Sequence, residues 1–180
     1  MPCRMLSHVN IGSGALIILA SLILLASFSV AGEKIDQDPS EIESIRDLLH
    51  RYSFFIDDAR GDDFEELFTE QAVFNVLTLS FNGRKTIRKE LIGRPGRLRK
   101  HLPFPAVIEI QSPDQALAWS DFIMVKAVEP DDPRSFTVYQ MGRYHDRLVK
   151  EKDGRWRFAE RNVYLPGMAN SREFLPPPAR

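Results

Sequence analysis

The order of the secondary-structure signals constrains the fold most strongly, because in residues 39–164 mostly helical patterns come first and strand patterns follow. Four segments rich in β-branched and aromatic residues, separated by Pro, Gly and Asp breaks, are predicted as strands: 106–110, 115–128, 135–150 and 155–164. Asp153-Gly154, between the last two, is typical of a hairpin turn. The sequence therefore predicts an α+β fold in which helices pack against an antiparallel sheet.

A capped amphipathic helix begins the helical half. Asp38-Pro39-Ser40-Glu41 combines an N-cap residue, a proline suited to the first helical position and a glutamate three residues after the cap. Apolar residues then recur at spacings of three and four, which predicts one buried stripe on a helix of about 20 residues that Gly61 ends. The stripe consists of Ile42, Ile45, Leu49, Tyr52, Ile56 and Ala59.

Three shorter elements are expected between this helix and the strands. The pattern predicts a short helix from Asp62 to about Thr69, then a strand from Ala72 to Phe81. Asn82-Gly83 follows as a turn, and a basic helix is predicted from Lys85 to Ile92.

The first 31 residues are predicted to be a targeting segment. The 17 residues from Ala15 to Ala31 carry no charge, end in a small-x-small motif and are followed by a polar sequence. We predict a cleaved secretory signal and export to the periplasm or extracellular space. The alternative is an uncleaved membrane anchor, since about 20 apolar residues are needed to span a bilayer. Residues 32–38 are then a linker, 39–165 one domain and 166–180 a Pro-rich tail.

Composition excludes several classes of function. The single cysteine, Cys3, lies in the targeting segment, so the mature chain offers no disulfide framework and no thiol nucleophile. The four histidines have no metal-ligand spacing and the chain has no P-loop, so neither a metal nor a cofactor is predicted. A net charge of −1, and a basic run at 84–100 without aromatic stacking partners, argue against nucleic-acid binding.

Several strings resemble the SnoaL-like family of the nuclear transport factor 2-like superfamily. They are Arg51-Tyr52 with Ile56-Asp57; Leu67-Phe68-Thr69 with Ala72 and Phe74; Gly142-Arg143-Tyr144-His145-Asp146; and Gly154-Arg155-Trp156-Arg157-Phe158 with Glu160-Arg161. The resemblance implies helices packed into a curved antiparallel sheet that encloses a conical pocket. It implies little about function, because this superfamily includes scytalone dehydratase, bile acid dehydratase and ketosteroid isomerase types as well as plain binding modules.

Tyr52 and Asp57 are the first candidate site residues. Five residues on a helix separate them by about 140°, so both can border a wide pocket at different depths. A positioned carboxylate can act as a general acid or base. In the bile acid dehydratase branch that this chain resembles, a Tyr and an Asp at this spacing are catalytic, together with a later His and Arg. Asp58 is the alternative carboxylate, and both aspartates can equally be the polar end of the helix.

His101 is the candidate proton carrier, because histidine exchanges protons near neutral pH. The resemblance places a His just ahead of the 106–110 strand, facing the pocket. This chain departs from the family there, since Phe104-Pro105-Ala106 replaces the string that commonly carries an Asn. The alternative is an exposed His beside Arg99 and Lys100.

Arg161 and Tyr144 complete the candidate site. The resemblance makes Arg161 a pocket residue that holds an anionic or oxyanionic group. Strand alternation puts Phe158 and Arg161 on opposite faces, so both are internal only if the strand carries a bulge. Tyr144 shares a strand face with Gly142 and Asp146, which favours either a ligand contact or core packing.

These residues suggest an exported enzyme of the lyase or isomerase class that acts on a small apolar carbonyl compound without a cofactor. Asp57 and His101 would move protons, while Tyr52 and Arg161 would stabilise an enolate-like charge. The alternative is a non-catalytic module that binds a hydrophobic ligand or serves dimerisation. A homodimer is also expected, formed through the free sheet face that carries the outward-facing residues Arg143, His145 and Arg147.

Overall fold

The computed structural model describes residues 38–92, 99–129, 131–132 and 134–167. All of them belong to one unit of the chain, Lys34–Arg180. The predicted targeting segment, nearly all of the linker and the tail from residue 168 onward lie outside the described residues. None of the helices described is both long and apolar enough to cross a membrane.

The described residues form three helices and a seven-stranded sheet. The helices are α1 (Pro39–Asp57), α2 (Gly61–Glu65) and α3 (Arg84–Ile92). The strands are β1 (Phe68–Val76), β2 (Leu79–Asn82), β3 (Arg99–Pro103), β4 (Val107–Ser112), β5 (Gln115–Ala127), β6 (Phe136–Lys150) and β7 (Trp156–Tyr164). They are arranged in the order β2-β1-β7-β6-β5-β3, and β4 also pairs with β5. The predicted α+β class is confirmed, with one parallel pair, β1 with β7, in an otherwise antiparallel sheet.

Helix α1 starts as predicted and ends earlier than predicted. The Asp38 carboxylate accepts a 2.8 Å hydrogen bond from the Ser40 backbone N–H, which satisfies one of the free donors of the first turn. The helix ends at Asp57 rather than near Gly61, and Ala59 takes a left-handed conformation (φ 54°) that reverses the chain. Gly61 instead begins α2.

The expected strand 72–81 is two strands, and this prediction was wrong. A tight turn at Leu77, with φ 58°, separates β1 from β2. Strand β1 also begins at Phe68, within the segment expected to be the end of α2. Phe68 lies opposite Phe158 in the parallel pair of β1 with β7, and both rings are fully buried. This long-range pairing outweighs the local helical pattern.

The sequence analysis missed strand β3 and located the other four late strands within one or two residues. Strand β3 pairs antiparallel with β5, with His101 opposite Met124 and Pro103 opposite Phe122. Strand β3 contains Lys and Arg residues, which are common on edge strands. The patterns that predict strands from sequence look for apolar and β-branched residues, so they do not detect it.

A bulge in β7 resolves the alternation problem at Arg161. Arg147 pairs with Glu160, whereas the next residue of β6, Leu148, pairs with Phe158. Ala159 is therefore an extra residue, and Phe158 and Arg161 both face the helices. Helix α1 packs on that face, against β3, β4 and β7. The bulge thus places a cation beneath α1, inside the hydrophobic core.

Candidate functional site

Asp57 and His101 join the end of α1 to β3. Asp57 Oδ1 lies 2.6 Å from His101 Nδ1, and Asp57 Oδ2 accepts a 2.8 Å hydrogen bond from the His101 backbone N–H. Both side chains are only 3% exposed. A carboxylate on Nδ1 orients the ring and leaves Nε2 as the nitrogen that can exchange a proton with another molecule. His101 is therefore not the exposed residue considered as the alternative.

Asp58, the alternative carboxylate, has a different environment. Its side chain is about half exposed and forms a 2.9 Å ion pair with Lys100. Of the two adjacent aspartates, Asp57 alone is buried against the histidine, because the helix ends between them and turns Asp58 outward.

Arg161 forms a buried ion pair with Asp146, a residue that the sequence analysis had not singled out as a site residue. Its Nε and Nη2 donate to the two Asp146 carboxylate oxygens, each at 2.7 Å, and both side chains are almost fully buried. Burial disfavours the charged guanidinium, but Asp146 outweighs that effect and raises the pKa of Arg161. Nη1 is also buried and has no hydrogen-bond partner among the described residues.

Three aromatic rings surround the Arg161 guanidinium. Its central carbon lies 4.0 Å from the Tyr52 ring centroid and 4.1 Å from the centroids of Tyr144 and Phe158. Cation–π contacts of this kind strengthen when they are desolvated. Burial raises the pKa of Tyr52 and of Tyr144, so both hydroxyls remain protonated at neutral pH and can donate hydrogen bonds.

Tyr52 connects the Asp57–His101 pair with the Arg161–Asp146 pair. Its ring lies edge-on to the His101 ring, with centroids 6.3 Å apart, and edge-on to Tyr144 at 5.7 Å. The structure therefore brings the five predicted site residues into one cluster: Tyr52, Asp57, His101, Tyr144 and Arg161.

A cavity of about 240 Å³ adjoins this cluster. Its wall is formed by Arg46, Leu49, His50, Ser53, Pro103, Phe104, Pro105, Ala106, Ser120, Tyr144 and Arg161. Tyr52, Asp57 and His101 do not line it. They lie next to the wall, because Ser53 is one helical turn before Asp57 and Pro103 is on the same strand face as His101. A larger hollow, of about 700 Å³, lies between α2 and α3 and touches none of the five residues.

Sequence reasoning missed four residues of this wall that carry polar groups. Arg46, His50 and Ser53 lie on one face of α1 at spacings of four and three, next to the buried stripe. Ser120 lies directly opposite Tyr144 in the pairing of β5 with β6. The helical spacing was visible in the sequence, whereas the position of Ser120 follows only from the strand register.

Gly142 supports packing rather than ligand binding. A Cβ atom at this position would collide with the Tyr164 carbonyl oxygen and lie 2.9 Å from Leu165 Cδ2. The space beside Tyr144 on this strand is therefore already filled by the protein.

Within the part of the chain that the structure describes, no three His, Cys, Asp or Glu side chains are close enough together to hold a metal ion.

Comparisons with known proteins agree with this architecture. The profile of the family described as SnoaL-like domain matches residues 38–162. A Mycobacterium tuberculosis protein of unknown function is 26% identical over 73% of this chain and 79% of its own, with a TM-score of 0.64. No curated protein matches the sequence.

Two Novosphingobium aromaticivorans structures are also similar. An NTF2-like protein with a cystatin-like fold is 21% identical, over 76% of this chain and 90% of its own, with a TM-score of 0.65. A protein described as a candidate scytalone dehydratase is 23% identical, over 70% of this chain and 84% of its own, with a TM-score of 0.59. At these identities the likeness establishes the fold.

Proposed function

The chain belongs to the SnoaL-like domain family, and from that premise we propose that it is a cofactor-independent lyase or isomerase that transfers protons on a small carbonyl compound. The observation that carries the proposal is the Asp57–His101 pair, buried next to a cavity whose wall contains Arg161, and Nη1 of Arg161 has no partner among the described residues. An orienting carboxylate, a histidine and a fixed cation are the groups that dehydration or isomerisation next to a carbonyl requires.

His101 has the role of general acid or base in this proposal. Asp57 fixes both the backbone and the ring of His101, so Nε2 is the nitrogen left to take a proton from the carbon next to the carbonyl. Since Asp57 and His101 do not line the cavity, the reaction requires the neighbouring wall to open when a ligand enters. A positioned acid or base contributes about 10²–10⁴-fold to a rate.

Arg161 and the two tyrosines stabilise the negative charge that forms on the carbonyl oxygen. Arg161 already commits two nitrogens to Asp146, and Nη1 is the donor that remains for a ligand oxygen. Fixed donors in a desolvated site stabilise a developing oxyanion without reorganising during the reaction. The candidate scytalone dehydratase of the same fold is compatible with this class of chemistry.

A second candidate function is a non-catalytic module that binds a small hydrophobic molecule. The observation in its favour is that Tyr144 and Arg161 reach the cavity while Asp57 and His101 do not. In either case the targeting segment makes export part of the proposal, and the exposed apolar residues of β6 make a homodimer part of it.

Matched substitutions separate the two functions. Asp57→Asn keeps the shape and the hydrogen bond to the His101 backbone, and His101→Gln removes the proton carrier. Asp58→Asn, at the neighbouring exposed carboxylate, is the control. The wild type is screened with small cyclic enones and hydroxyketones.

We expect both single variants to lose about 10²-fold or more in kcat/KM, with the double variant little worse than either, and the control to stay active. Wild-type rates in both variants would overturn the assignment. Tight ligand binding by a wild type that turns nothing over would establish the binding module instead.

A further inference from the structure

The cavity beside Arg161 has a wall that is rich in basic side chains. Its wall holds three basic side chains, Arg46, His50 and Arg161, and no carboxylate. Arg161 lies buried at the inner end, whereas Arg46 and His50 are exposed residues of α1. The wall therefore presents a buried cationic donor inside and basic groups at the surface.

The carboxylates nearest to these arginines leave both of them able to bind a ligand. Glu43 reaches Arg46 only at 3.4 Å, and the Glu43 side chain is 74% exposed, so water screens this pair. Asp146 occupies two nitrogens of Arg161 and leaves Nη1 without a partner among the described residues. A buried donor of this kind is costly unless a ligand or water satisfies it.

The size of the cavity limits the ligand. A cavity of about 150 Å³ holds a benzene molecule, and drug-sized ligands occupy pockets of about 300–1,000 Å³. At about 240 Å³, this cavity fits one six-membered ring with small substituents. This volume lies below the range of pockets for drug-sized ligands, so it favours one ring over a fused pair.

The middle of the wall is suited to a ring. Leu49, Phe104 and the two flanking prolines present apolar surface, and the hydroxyls of Ser53, Ser120 and Tyr144 are the remaining side-chain polar groups. An apolar ring gains from burial there, and an anionic substituent is then positioned by the basic groups at one end.

We propose that the ligand of this cavity is a single-ring carboxylic acid that also carries a carbonyl or hydroxyl oxygen. The carboxylate pairs with Arg46 and His50 at the surface, and the second oxygen accepts from Arg161 Nη1 at the inner end. This inference rests on the proposed function, whose carbonyl group is that second oxygen. It adds that the substrate is an anion and is limited to one ring.

Isothermal titration calorimetry of the full chain tests the charge requirement. The probes are 4-hydroxybenzoate and 3-oxocyclohexane-1-carboxylate, each paired with its neutral methyl ester, and 6-hydroxy-2-naphthoate as the oversized acid. We expect both single-ring acids to bind, and both esters and the naphthoate to bind about tenfold more weakly or not at all.

Arg46→Gln supplies the matched variant, because Arg46 is exposed and its loss leaves the core intact. We expect it to weaken binding of the acids about five- to tenfold and to leave the esters unchanged. Arg51→Gln, five residues further along α1, is the control, since Arg51 pairs with Asp47 and is absent from the cavity wall. Binding of the acids to this control should equal that of the wild type.

Equal binding of acids and esters, an unchanged Arg46→Gln variant, or no binding of any single-ring acid at millimolar concentration would overturn this ligand assignment. These results are distinct from failure of the proposed function. Turnover of a neutral enone that depends on Asp57 would preserve proton transfer and reject the acid. Selective acid binding without turnover of any probe would preserve the acid ligand and reject proton transfer.

Discussion

The Asp57 carboxylate holds His101 at two points, with Oδ2 on the backbone N–H at 2.8 Å and Oδ1 on ring Nδ1 at 2.6 Å. The end of α1 and an edge strand are therefore tied together by the same group that orients the imidazole. Position and orientation of the histidine depend on one side chain, so removal of the Asp57 carboxyl group and its hydrogen bonds would affect structure and chemistry together.

The Arg161–Asp146 pair gives the first prediction, which concerns stability. Asp146→Leu and Arg161→Met each leave one buried charge without its partner, and each should lower the free energy of unfolding by about 3–5 kcal/mol. The double variant removes both charges and should be more stable than either single variant. Urea denaturation followed by circular dichroism measures all three. Additive losses in the double variant would show that the two groups do not depend on each other.

Gly142 gives the second prediction. Gly142→Ala should lower the free energy of unfolding by about 1–3 kcal/mol, because its Cβ meets the Tyr164 backbone and the Leu165 side chain. Gly61→Ala is the control, since its Cβ meets only the flexible Arg88 side chain. Thermal denaturation should show a smaller shift for the control. Equal shifts would contradict the packing explanation.

The sequence predicted the elements that local signals specify. The cap at Asp38 and the apolar spacing located α1, and the turn at Asp153-Gly154 located the hairpin of the last two strands. The five candidate residues also lie together, although their roles in catalysis remain predictions.

Long-range relationships were beyond local reasoning. The bulge at Ala159, the parallel pairing of Phe68 with Phe158 and the partner of Arg161 all depend on how distant segments meet. Of these features, the role of Asp146 as the partner of Arg161 came closest to being predictable from the sequence, because strand alternation places Asp146 on the same face as Tyr144. An acidic residue on an inner face requires a buried cation as its partner.

Glu41 gives the third prediction, a dependence of stability on pH. Hydrogen bonds from Lys150 and from Trp156 Nε1, both 2.6 Å long, lower the pKa of Glu41 in the folded protein. A carboxyl group whose pKa is lower in the folded than in the unfolded protein stabilises the fold fully at pH values above its pKa in the unfolded protein. This contribution is lost as the pH falls through its pKa in the folded protein.

The Glu41→Gln variant should therefore be less stable than the wild type at pH 7, with a difference that shrinks below about pH 4. Urea denaturation at several pH values measures this. Glu43→Gln, at an exposed position two residues away, is the control. A difference between Glu41→Gln and the wild type that stays constant with pH would contradict the assignment.

Export gives the fourth prediction. The uncharged run from Ala15 to Ala31 and its small-x-small end predict cleavage after Ala31, so N-terminal sequencing of the secreted protein should begin at Gly32. Ala31→Arg should block cleavage and retain the longer chain, while Ser27→Arg, outside the cleavage motif, tests whether the apolar run itself is needed. Recovery of intact Met1 from the membrane fraction of the wild type would support the anchor instead.

Self-association through the exposed apolar residues of β6 gives the fifth prediction. Three apolar residues of β6 are more than half exposed, Phe136 at 65%, Val138 at 62% and Met141 at 56%, and they precede Arg143 on the same strand. Exposed apolar side chains grouped on one strand are typical of an interaction site. Light scattering should give the mass of a homodimer at tens of micromolar, and Val138→Glu should give a monomer, because the new carboxylate would be buried unpaired at the interface.

Phe54→Glu is the matched control, since Phe54 is also 65% exposed but lies on α1, away from β6. A wild type that is already monomeric, or a dimer that survives Val138→Glu and dissociates with Phe54→Glu, would place self-association elsewhere or exclude it.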